Sequence, residues 1–322
     1  MMNMRTDLAL ENQEDLSQRG IKEDGVNVDI VESLKNVIYT KVQITDSKGE
    51  KAMGKPIGNY ITIEMKDTDD EAIALSKLLA KAIKEVIVAE TNENFTTLVV
   101  GLGNWNITPD ALGPQVVSKL MITKHLFKEA RELISHEMSQ VCAISPGVLG
   151  ITGIESSEII KSVINNVKPD LIIAIDALTS RKIERICSTI QVTDTGIIPG
   201  SGVNNSRKAL NKKSLGVPVI AIGVPTVVDA ATIANDTIDM LIDRMMDEAS
   251  SGHEFYKMLS DIDKEEKEFL IKDLLRPHVG NLFVTPNFVD QEIADLSNII
   301  ADGINLALHP HMDIEEINSY IH

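Results

Sequence analysis

The sequence predicts an α/β protein with a mainly parallel central sheet and helices on both faces of that sheet. Two aliphatic runs indicate this fold: residues 98–100 stop at a Gly-rich turn, and residues 171–175 stop at Asp176. A continuous run of Leu, Val and Ile between polar residues is typical of a strand buried on both faces. Segments with helical periodicity separate these runs, and strands joined by crossover helices pair in parallel.

The first third of the chain predicts an arm, three strands and a helix. Residues 1–25 are polar and show no clear period, which indicates a mobile arm. Residues 26–39, 41–44 and 60–65 alternate apolar and polar side chains, as strands with one buried face do. Residues 71–89 have apolar side chains at helical spacing and many good helix formers, so they predict an amphipathic helix.

The rest of the chain alternates predicted strands and helices. Pro114 suits the first turn of a helix, where its missing N–H costs nothing, and Thr226 is a candidate helix cap. The predicted strands are residues 98–100, 141–144, 171–175, 183–192, 218–222 and 282–284. The predicted helices are residues 114–130, 155–167, 227–248, 264–274 and 287–308, with surface loops at 194–205 and 249–264. No linker is long enough to divide the chain into two domains.

Composition argues against several classes of function. The 322 residues carry a net charge of −17, which repels nucleic acid backbones and anionic membranes and favours a neutral or basic partner. No segment has the length of a membrane helix, and the N-terminus lacks the apolar core of a secretory signal. One disulfide is possible, but two thiols in an aliphatic chain are more often buried and reduced, so we expect a cytoplasmic protein.

Two aspartates stand near the carboxyl ends of predicted strands, where open α/β sheets bind ligands. Asp176 directly follows five aliphatic residues, where an unpaired carboxylate is costly, so a ligand or a reaction is the better explanation for it. Asp110 has an ordinary alternative as a turn residue. Two carboxylates brought close split their pKa values, so one can act as a base on water while the other protonates the departing amine. We therefore expect Asp110 and Asp176 to form a protease active site.

A nucleotide site matches the sequence less well. Gly101-x-Gly103 after a strand resembles part of a dinucleotide fingerprint, but Asn106 stands where the third glycine belongs. The sequence also has no HExxH motif, no CxxC pair and no GxSxG elbow.

The cysteines and two histidines are weaker candidates for chemistry. Neither Cys142 nor Cys187 has a histidine nearby in sequence, so buried structural thiols are favoured over nucleophiles, although a partner could come from elsewhere in the fold. His309 and His311 lie at the end of a predicted helix, where partial positive charge is favourable, and this interpretation is favoured over a metal role.

Long motifs cover most of the chain. They read GLGNWNITPDALGP at 101–114, SPGVLGITGIE at 145–155, PDLIIAIDALTSR at 169–181, TIQVTDTGIIPGSGVNN at 189–205 and VPVIAIGVPTVVDA at 217–230. NLFVTP at 281–286 and the final helix extend the match. These segments closely resemble the germination protease family of spore-forming bacteria, and motifs of this length are not expected by chance.

The resemblance implies an endopeptidase that degrades small acid-soluble spore proteins during germination. It implies a fold similar to hydrogenase maturation proteases, a homotetramer, no cofactor, and a zymogen that processes its own N-terminus in the forespore or spore core. The catalytic aspartates of the family fall on Asp110 and Asp176, which the strand ends also indicate.

The resemblance also identifies a cleavage site. The substrates are cut after an acidic residue in a segment like Thr-Glu followed by apolar, small and acidic residues, and residues 6–11 read TDLALE. We expect self-cleavage between Asp7 and Leu8, which divides the chain into a propeptide, 1–7, and a single α/β peptidase domain, 8–322. Without the family, a flexible arm is the preferred interpretation.

Several polar residues are candidates for substrate binding or catalysis. Specificity for an acidic residue before the cut requires a basic group, and polar loops can supply N–H donors to an oxyanion. The possible substrate-binding residues are Asn104, Glu155, Asp194, Arg181 and Arg207. Arg185 is a further basic candidate. Each arginine has an ordinary alternative as a solvated surface charge, and Glu155 has one as a helix-start residue.

Two other classes of protein remain open. A metal-dependent maturation-type protease on the same fold would use the carboxylates to hold a divalent ion, although no clear histidine set completes such a site. A non-catalytic binding protein on the same scaffold would have no turnover. The distance between the two aspartates, which the sequence does not give, decides whether they can share a proton.

Overall fold

Nine strands form a central sheet in the part of the chain that the structure describes. The structure is a computed structural model that describes residues 6–18, 20, 24–34, 36–65, 72–87, 95–129, 134, 138–200, 207–248, 270–271, 273–274 and 282–321. The strands are β1 (Val26–Leu34), β2 (Val37–Ile44), β3 (Gly58–Met65), β4 (Thr96–Gly101), β5 (Gln140–Ile144), β6 (Leu171–Ser180), β7 (Thr189–Thr193), β8 (Val219–Asp229) and β9 (Phe283–Val284).

Helices of very different lengths precede, connect and follow these strands. They are α1 (Ala9–Gln18), α2 (Ser47–Met53), α3 (Ala72–Val86), α4 (Leu112–Val117), α5 (Leu126–Glu129), α6 (Leu149–Thr152), α7 (Ser156–Val167), α8 (Lys212–Leu215), α9 (Ala230–Glu248), α10 (Val289–Leu308) and α11 (Ile314–Asn318). Short 3₁₀ turns cover Thr108–Asp110 and Ile183–Arg185.

The sheet has a parallel half and an antiparallel half. The strand order is β1-β2-β3-β7-β8-β6-β4-β5, and β9 pairs with β8. β5, β4, β6 and β8 run parallel to their neighbours in this series, whereas β1, β2, β3 and β7 pair antiparallel, as does β7 with β8. The predicted α/β fold with a central sheet is confirmed, and the sheet is mixed rather than purely parallel.

Helices cover both faces of the parallel half, as predicted. Val99 and Ile173 point to the face on which α3 and α10 pack, and Leu98 and Ile172 point to the face covered by α7. Strands buried on both sides can therefore carry apolar side chains at consecutive positions, which explains the aliphatic runs at 98–100 and 171–175. The antiparallel half has a smaller cluster of its own, between α1, α2 and the adjoining strands.

The predicted arm is wrong for the part of residues 1–25 that the structure describes. Leu8 and Ala9 are fully buried, and α1 packs its Leu16 against β2 and β3. The polar composition conceals this helix because two of its acidic side chains, Glu11 and Glu14, pair with Arg185. Residues 1–5, 19 and 21–23 lie outside the described part of the chain.

Two further boundaries differ from those predicted because tertiary contacts override local signals. The helix predicted over residues 114–130 stops at Val117, where the chain turns so that the Met121 N–H can donate to Asn305 Oδ1 of α10 (3.1 Å). Only α5 resumes the helix. Thr226 is not a helix cap, because β8 continues through it to Asp229, and the β6–β8 register shifts beside Pro225. Proline is tolerated in a strand at such irregularities.

The remaining predicted elements agree closely where they are described. α3, α7 and α10 lie within the helices predicted at 71–89, 155–167 and 287–308. The strand predicted over 183–192 begins as a 3₁₀ turn and becomes β7 only at Thr189. The predicted loop 249–264, residues 201–205 of the loop 194–205 and most of the helix 264–274 lie outside the described residues.

A close backbone contact between the end of β4 and α4 predicts the effect of a single methyl group. A Cβ on Gly101 would lie 2.2 Å from the Gly113 carbonyl oxygen, so we expect Gly101→Ala to destabilise the protein by about 1–3 kcal/mol. Gly150→Ala is the control, since its Cβ would meet no atom within 4 Å, and it should stay within about 0.5 kcal/mol of wild type. Urea unfolding measures both, and equal midpoints would contradict the contact.

Candidate active site

The two predicted aspartates meet at one cavity. β4 and β6 are parallel neighbours, Asp176 lies on β6, and Asp110 ends the 3₁₀ turn that follows β4. Both side chains line a cavity of about 380 Å³. One expectation needs correction: β6 does not stop at Asp176 but continues to Ser180, paired with β8. Asp176 is therefore a mid-strand residue, with only 6% of its surface exposed.

Backbone packing holds Asp110 in place. The Asn104 N–H donates to the Asp110 carbonyl oxygen (2.9 Å), and the Thr226 hydroxyl donates to the Pro109 carbonyl oxygen (2.7 Å). Gly103 has a φ of +113°, and a Cβ there would lie 2.0 Å from the Asp110 carbonyl oxygen. Only glycine fits this position, so Gly103 allows the close approach of the backbone that carries Asp110.

Burial gives the two carboxyl groups unequal pKa values. Desolvation raises the pKa of Asp110 to about 6, and the Asn104 backbone N–H opposes this. The pKa of Asp176 is raised well above its usual range by burial, then by the negative charges of Asp110 and Asp7, against one hydrogen bond from the Ala177 N–H (3.0 Å). Of the two carboxyl groups, that of Asp176 is therefore the more strongly biased towards its protonated form.

The N-terminal segment, residues 6–18, enters the same cavity through Asp7. The Asp7 N–H donates to the Thr179 carbonyl oxygen (3.0 Å), and the Thr179 N–H donates to Asp7 Oδ2 (3.0 Å). The Asp7 carbonyl oxygen accepts from Lys55 Nζ (2.9 Å) and from Gln191 Nε2 (3.3 Å). Backbone and side chain of Asp7 are thus both held, immediately before the predicted point of cleavage.

An acidic pair on α1 anchors this segment. The Glu11 carboxylate accepts from the backbone N–H groups of Arg181 (2.8 Å) and Lys182 (3.0 Å), and it also contacts the Thr6 hydroxyl. The Arg185 guanidinium lies 3.4 Å from Glu11 Oε1 and bonds Glu14, as well as Glu64 on β3. Arg185 is buried, so the surface-charge interpretation of this arginine is wrong.

The other predicted binding residues divide into two groups. Glu155 and Arg207 line the cavity and pair with each other (3.3 Å). Asp194 does not line it, because its carboxylate accepts from the backbone and side chain of Asn59. The Arg181 side chain lies 3.7 Å from Asp236 and only its backbone N–H reaches the N-terminal segment. Asn104 acts through its backbone on Asp110.

Neither cysteine has the setting of a nucleophile. Both are free thiols, and neither lines the cavity. Burial, reinforced by Glu292, raises the pKa of Cys187 to about 12, and burial also raises the pKa of Cys142. A thiol that resists ionisation is a poor nucleophile.

His309 is fully buried, its Nδ1 accepts from the Ser139 N–H (3.2 Å), and burial lowers its pKa to about 4.

The sequence analysis did not identify three residues that contact Asp7, namely Lys55, Thr179 and Gln191. They lie 48 to 184 residues from Asp7 in sequence, and no local pattern marks them.

Nowhere in the described ranges do three or more His, Cys, Asp or Glu side chains gather as a metal site requires. None of the helices in those ranges is both long and apolar enough to cross a membrane.

Comparison with known proteins identifies relatives along the whole chain. A family model described as germination protease matches residues 4–261 and 241–321. A germination protease of Clostridium perfringens (strain SM101 / Type A) is 52% identical over 326 residues, covering 100% of both chains. One from Clostridium tetani is 52% identical over 99% of this chain and 100% of its own, and one from Bacillus thuringiensis is 42% identical over 99% and 97%.

Among solved structures, a [NiFe] hydrogenase maturation protease from Thermococcus kodakarensis matches with a TM-score of 0.30 and 19% identity. The match covers 60% of this chain and 96% of that chain.

The raised pKa values predict that the site costs stability. Above a pH of about 4, the folded state binds protons on these carboxyl groups that the unfolded state has lost. The free energy of unfolding therefore falls as pH rises from about 4. Replacing a carboxyl group by a neutral amide should remove this loss of stability. Asp176→Asn and Asp110→Asn should both be more stable than wild type at pH 7. For Asp110, a pKa of about 6 implies a gain of up to about 3 kcal/mol.

Unfolding in urea at pH 7 and pH 4 measures this gain, which should shrink at the lower pH. The exposed Asp29→Asn serves as the control, with an effect within about 0.5 kcal/mol at both pH values. Asparagine variants that are less stable than wild type at pH 7 would contradict the assignment.

Proposed function

The chain belongs to the germination protease family, and from this premise we propose that it is an endopeptidase that initiates degradation of small acid-soluble spore proteins during germination. It is a peptidase by family. The proposal extends to a zymogen that cuts itself between Asp7 and Leu8, to a homotetramer, and to a cytoplasmic location in the forespore or spore core. Residues 1–7 are then the propeptide and residues 8–322 the single peptidase domain.

The observation that supports this proposal most directly is the place of Asp7. The residue before the predicted cut lines the same cavity as Asp110 and Asp176, and its charge acts on Asp176. A segment with the features of the family's substrates therefore lies beside the two carboxyl groups, in the position of a substrate.

The unequal pKa values support different roles for the two acids. In the proposed reaction, Asp110 takes a proton from a water molecule as the oxygen of that water attacks the carbonyl carbon of residue 7. Asp176, whose pKa burial raises well above its usual range, gives a proton to the nitrogen of Leu8 as the peptide bond breaks. The products are a carboxylic acid at residue 7 and an amine at residue 8.

The polar residues of the cavity have supporting roles in this proposal. Glu155 and Arg207 form a charged wall that faces the substrate, and Asn104 positions Asp110 through its backbone. Asp194 and Arg181 act from outside the cavity, the first through Asn59 and the second through Glu11.

Self-cleavage tests the proposal directly. The purified full-length chain should convert to a form that begins at Leu8, as seen by intact mass and N-terminal sequencing. Asp110→Asn and Asp176→Asn should each slow this conversion and the cleavage of an added small acid-soluble spore protein by at least about 100-fold. Asp29→Asn is the matched control and should convert normally.

Three results would count against this function. A mature N-terminus other than Leu8 removes the cleavage site, and full activity in either asparagine variant removes that aspartate from the chemistry. Activity that disappears only in chelator would place the chain among metal-dependent proteases instead, whereas activity that survives chelator agrees with two carboxylates acting on water.

The rate of self-cleavage should have a bell-shaped dependence on pH. It should rise through about pH 6 as Asp110 loses its proton and becomes a base, and fall at higher pH as Asp176 loses the proton that the leaving amine needs. Rate constants from pH 4.5 to 9.5 measure this. A rate that falls as pH increases through 6 would reverse the proposed roles.

A further inference from the structure

The carbonyl oxygen of Asp7 receives two side-chain donors. Lys55 Nζ lies 2.9 Å from it and Gln191 Nε2 lies 3.3 Å from it. On the proposed function, this carbonyl belongs to the bond that is cut. We propose that Lys55 is a third catalytic residue, whose ammonium group polarises the scissile carbonyl and stabilises the oxyanion, with Gln191 as the second donor. The inference rests on the proposed cleavage between Asp7 and Leu8.

Lys55 is held where a charge has a strong effect. It lies between α2 and β3, after Gly54 has closed the helix in a left-handed conformation. Burial lowers the pKa of its amine, against the opposing charges of Asp7 and Glu11, the two acids that face it. Lys55 is half-buried, and a positive charge that is partly withdrawn from water acts on a developing oxyanion more strongly than one in bulk solvent.

Gln191 fixes the orientation of the bond. Its side chain is buried on β7, whose backbone is paired on both sides, with β3 and with β8. Nε2 donates to the Asp7 carbonyl oxygen, and Oε1 accepts from the Ala9 N–H (2.7 Å). One amide group therefore holds the backbone on either side of Leu8 and turns the residue 7 carbonyl towards Lys55.

The chemical step balances with these groups. The water oxygen bonds to the carbonyl carbon of residue 7, and one proton of that water passes to Asp110. The electron pair of the C=O π bond moves to the oxygen, where Lys55 and Gln191 donate hydrogen bonds. As the pair returns, the C–N bond to Leu8 breaks, and Asp176 protonates the departing nitrogen. One peptide and one water yield one acid and one amine.

Removal of residues 1–7 leaves the same donors available to another substrate. Asp7 occupies Lys55 Nζ and the Thr179 N–H, and both contacts end when this residue departs. A peptide with an acidic residue before its cut can then place its carbonyl on Lys55 and its carboxylate on Thr179. This pairing recognises acidic residues through a backbone N–H, without an arginine.

Self-cleavage of the full-length chain tests the inference. Lys55→Met should convert to the Leu8 form about 100-fold more slowly than wild type or slower still, the effect of removing one oxyanion donor. Lys55→Arg, which keeps a donor and a charge, should recover part of the rate. Lys51→Met, on the exposed end of α2, is the control and should convert like wild type. Conversion of Lys55→Met within threefold of the wild-type rate would overturn the assignment.

A second measurement separates catalysis from simple tethering. Versions of the protein that start at Leu8 are assayed on a synthetic peptide of residues 1–14, after thermal unfolding has shown that each variant is folded. A catalytic Lys55 predicts that Lys55→Met lowers kcat about 100-fold with KM within threefold. A raised KM with unchanged kcat would mean that Lys55 only holds the segment, and would overturn the inference.

The controls distinguish this inference from the proposed function. If wild type converts and Asp110→Asn does not, but Lys55→Met converts normally, the function stands and the role of Lys55 falls. If wild type never cuts at Asp7–Leu8, or Asp110→Asn cuts normally, the proposed function itself fails and the inference fails with it.

Discussion

The constraint on which this structure depends is the desolvation of one carboxyl group, that of Asp176, in the middle of a paired strand. β6 is bonded to β4 on one side and β8 on the other, so Asp176 cannot move towards water without breaking the sheet. Burial and two negatively charged neighbours favour the protonated acid. One backbone hydrogen bond opposes them. The aliphatic core of the parallel half thus holds a desolvated carboxyl group in place, at a cost in stability.

The two halves of the sheet contribute different parts of the site. The parallel half supplies both aspartates, at the edge where α/β sheets bind ligands. The antiparallel half receives the N-terminal segment, with Lys55 leading into β3 and Gln191 on β7. Strands β7 and β8 join the halves, and Asp7 lies at this junction. The buried Arg185 with Glu11 and the half-buried Glu14 and Glu64 secures the segment, since a buried charge is tolerated only where it is well paired.

The sequence alone predicted the parts of the site that depend on local pattern. Asp110 and Asp176 follow unmistakable aliphatic runs, and such runs identify strands without knowledge of the fold. Lys55, Thr179 and Gln191 act through backbone contacts with a segment far away in sequence, and such contacts leave no local signal. α1 was missed because its acidic residues become favourable only beside Arg185. The strand predicted over 218–222 is too short because a register shift between β6 and β8 accommodates Pro225 inside the longer strand.

The distance along the chain between Asp7 and its partners has a consequence for biosynthesis. Thr179 and Gln191 follow Asp7 by 172 and 184 residues. At about 5–20 residues per second, a ribosome needs on the order of 10 to 40 seconds to reach them after the N-terminal segment has emerged. During this interval the strands that carry the partners of this segment have not formed. The two aspartates that are proposed to cut it have not yet come together. On the proposed self-cleavage, a nascent chain therefore cannot mature before most of it has been translated and folded.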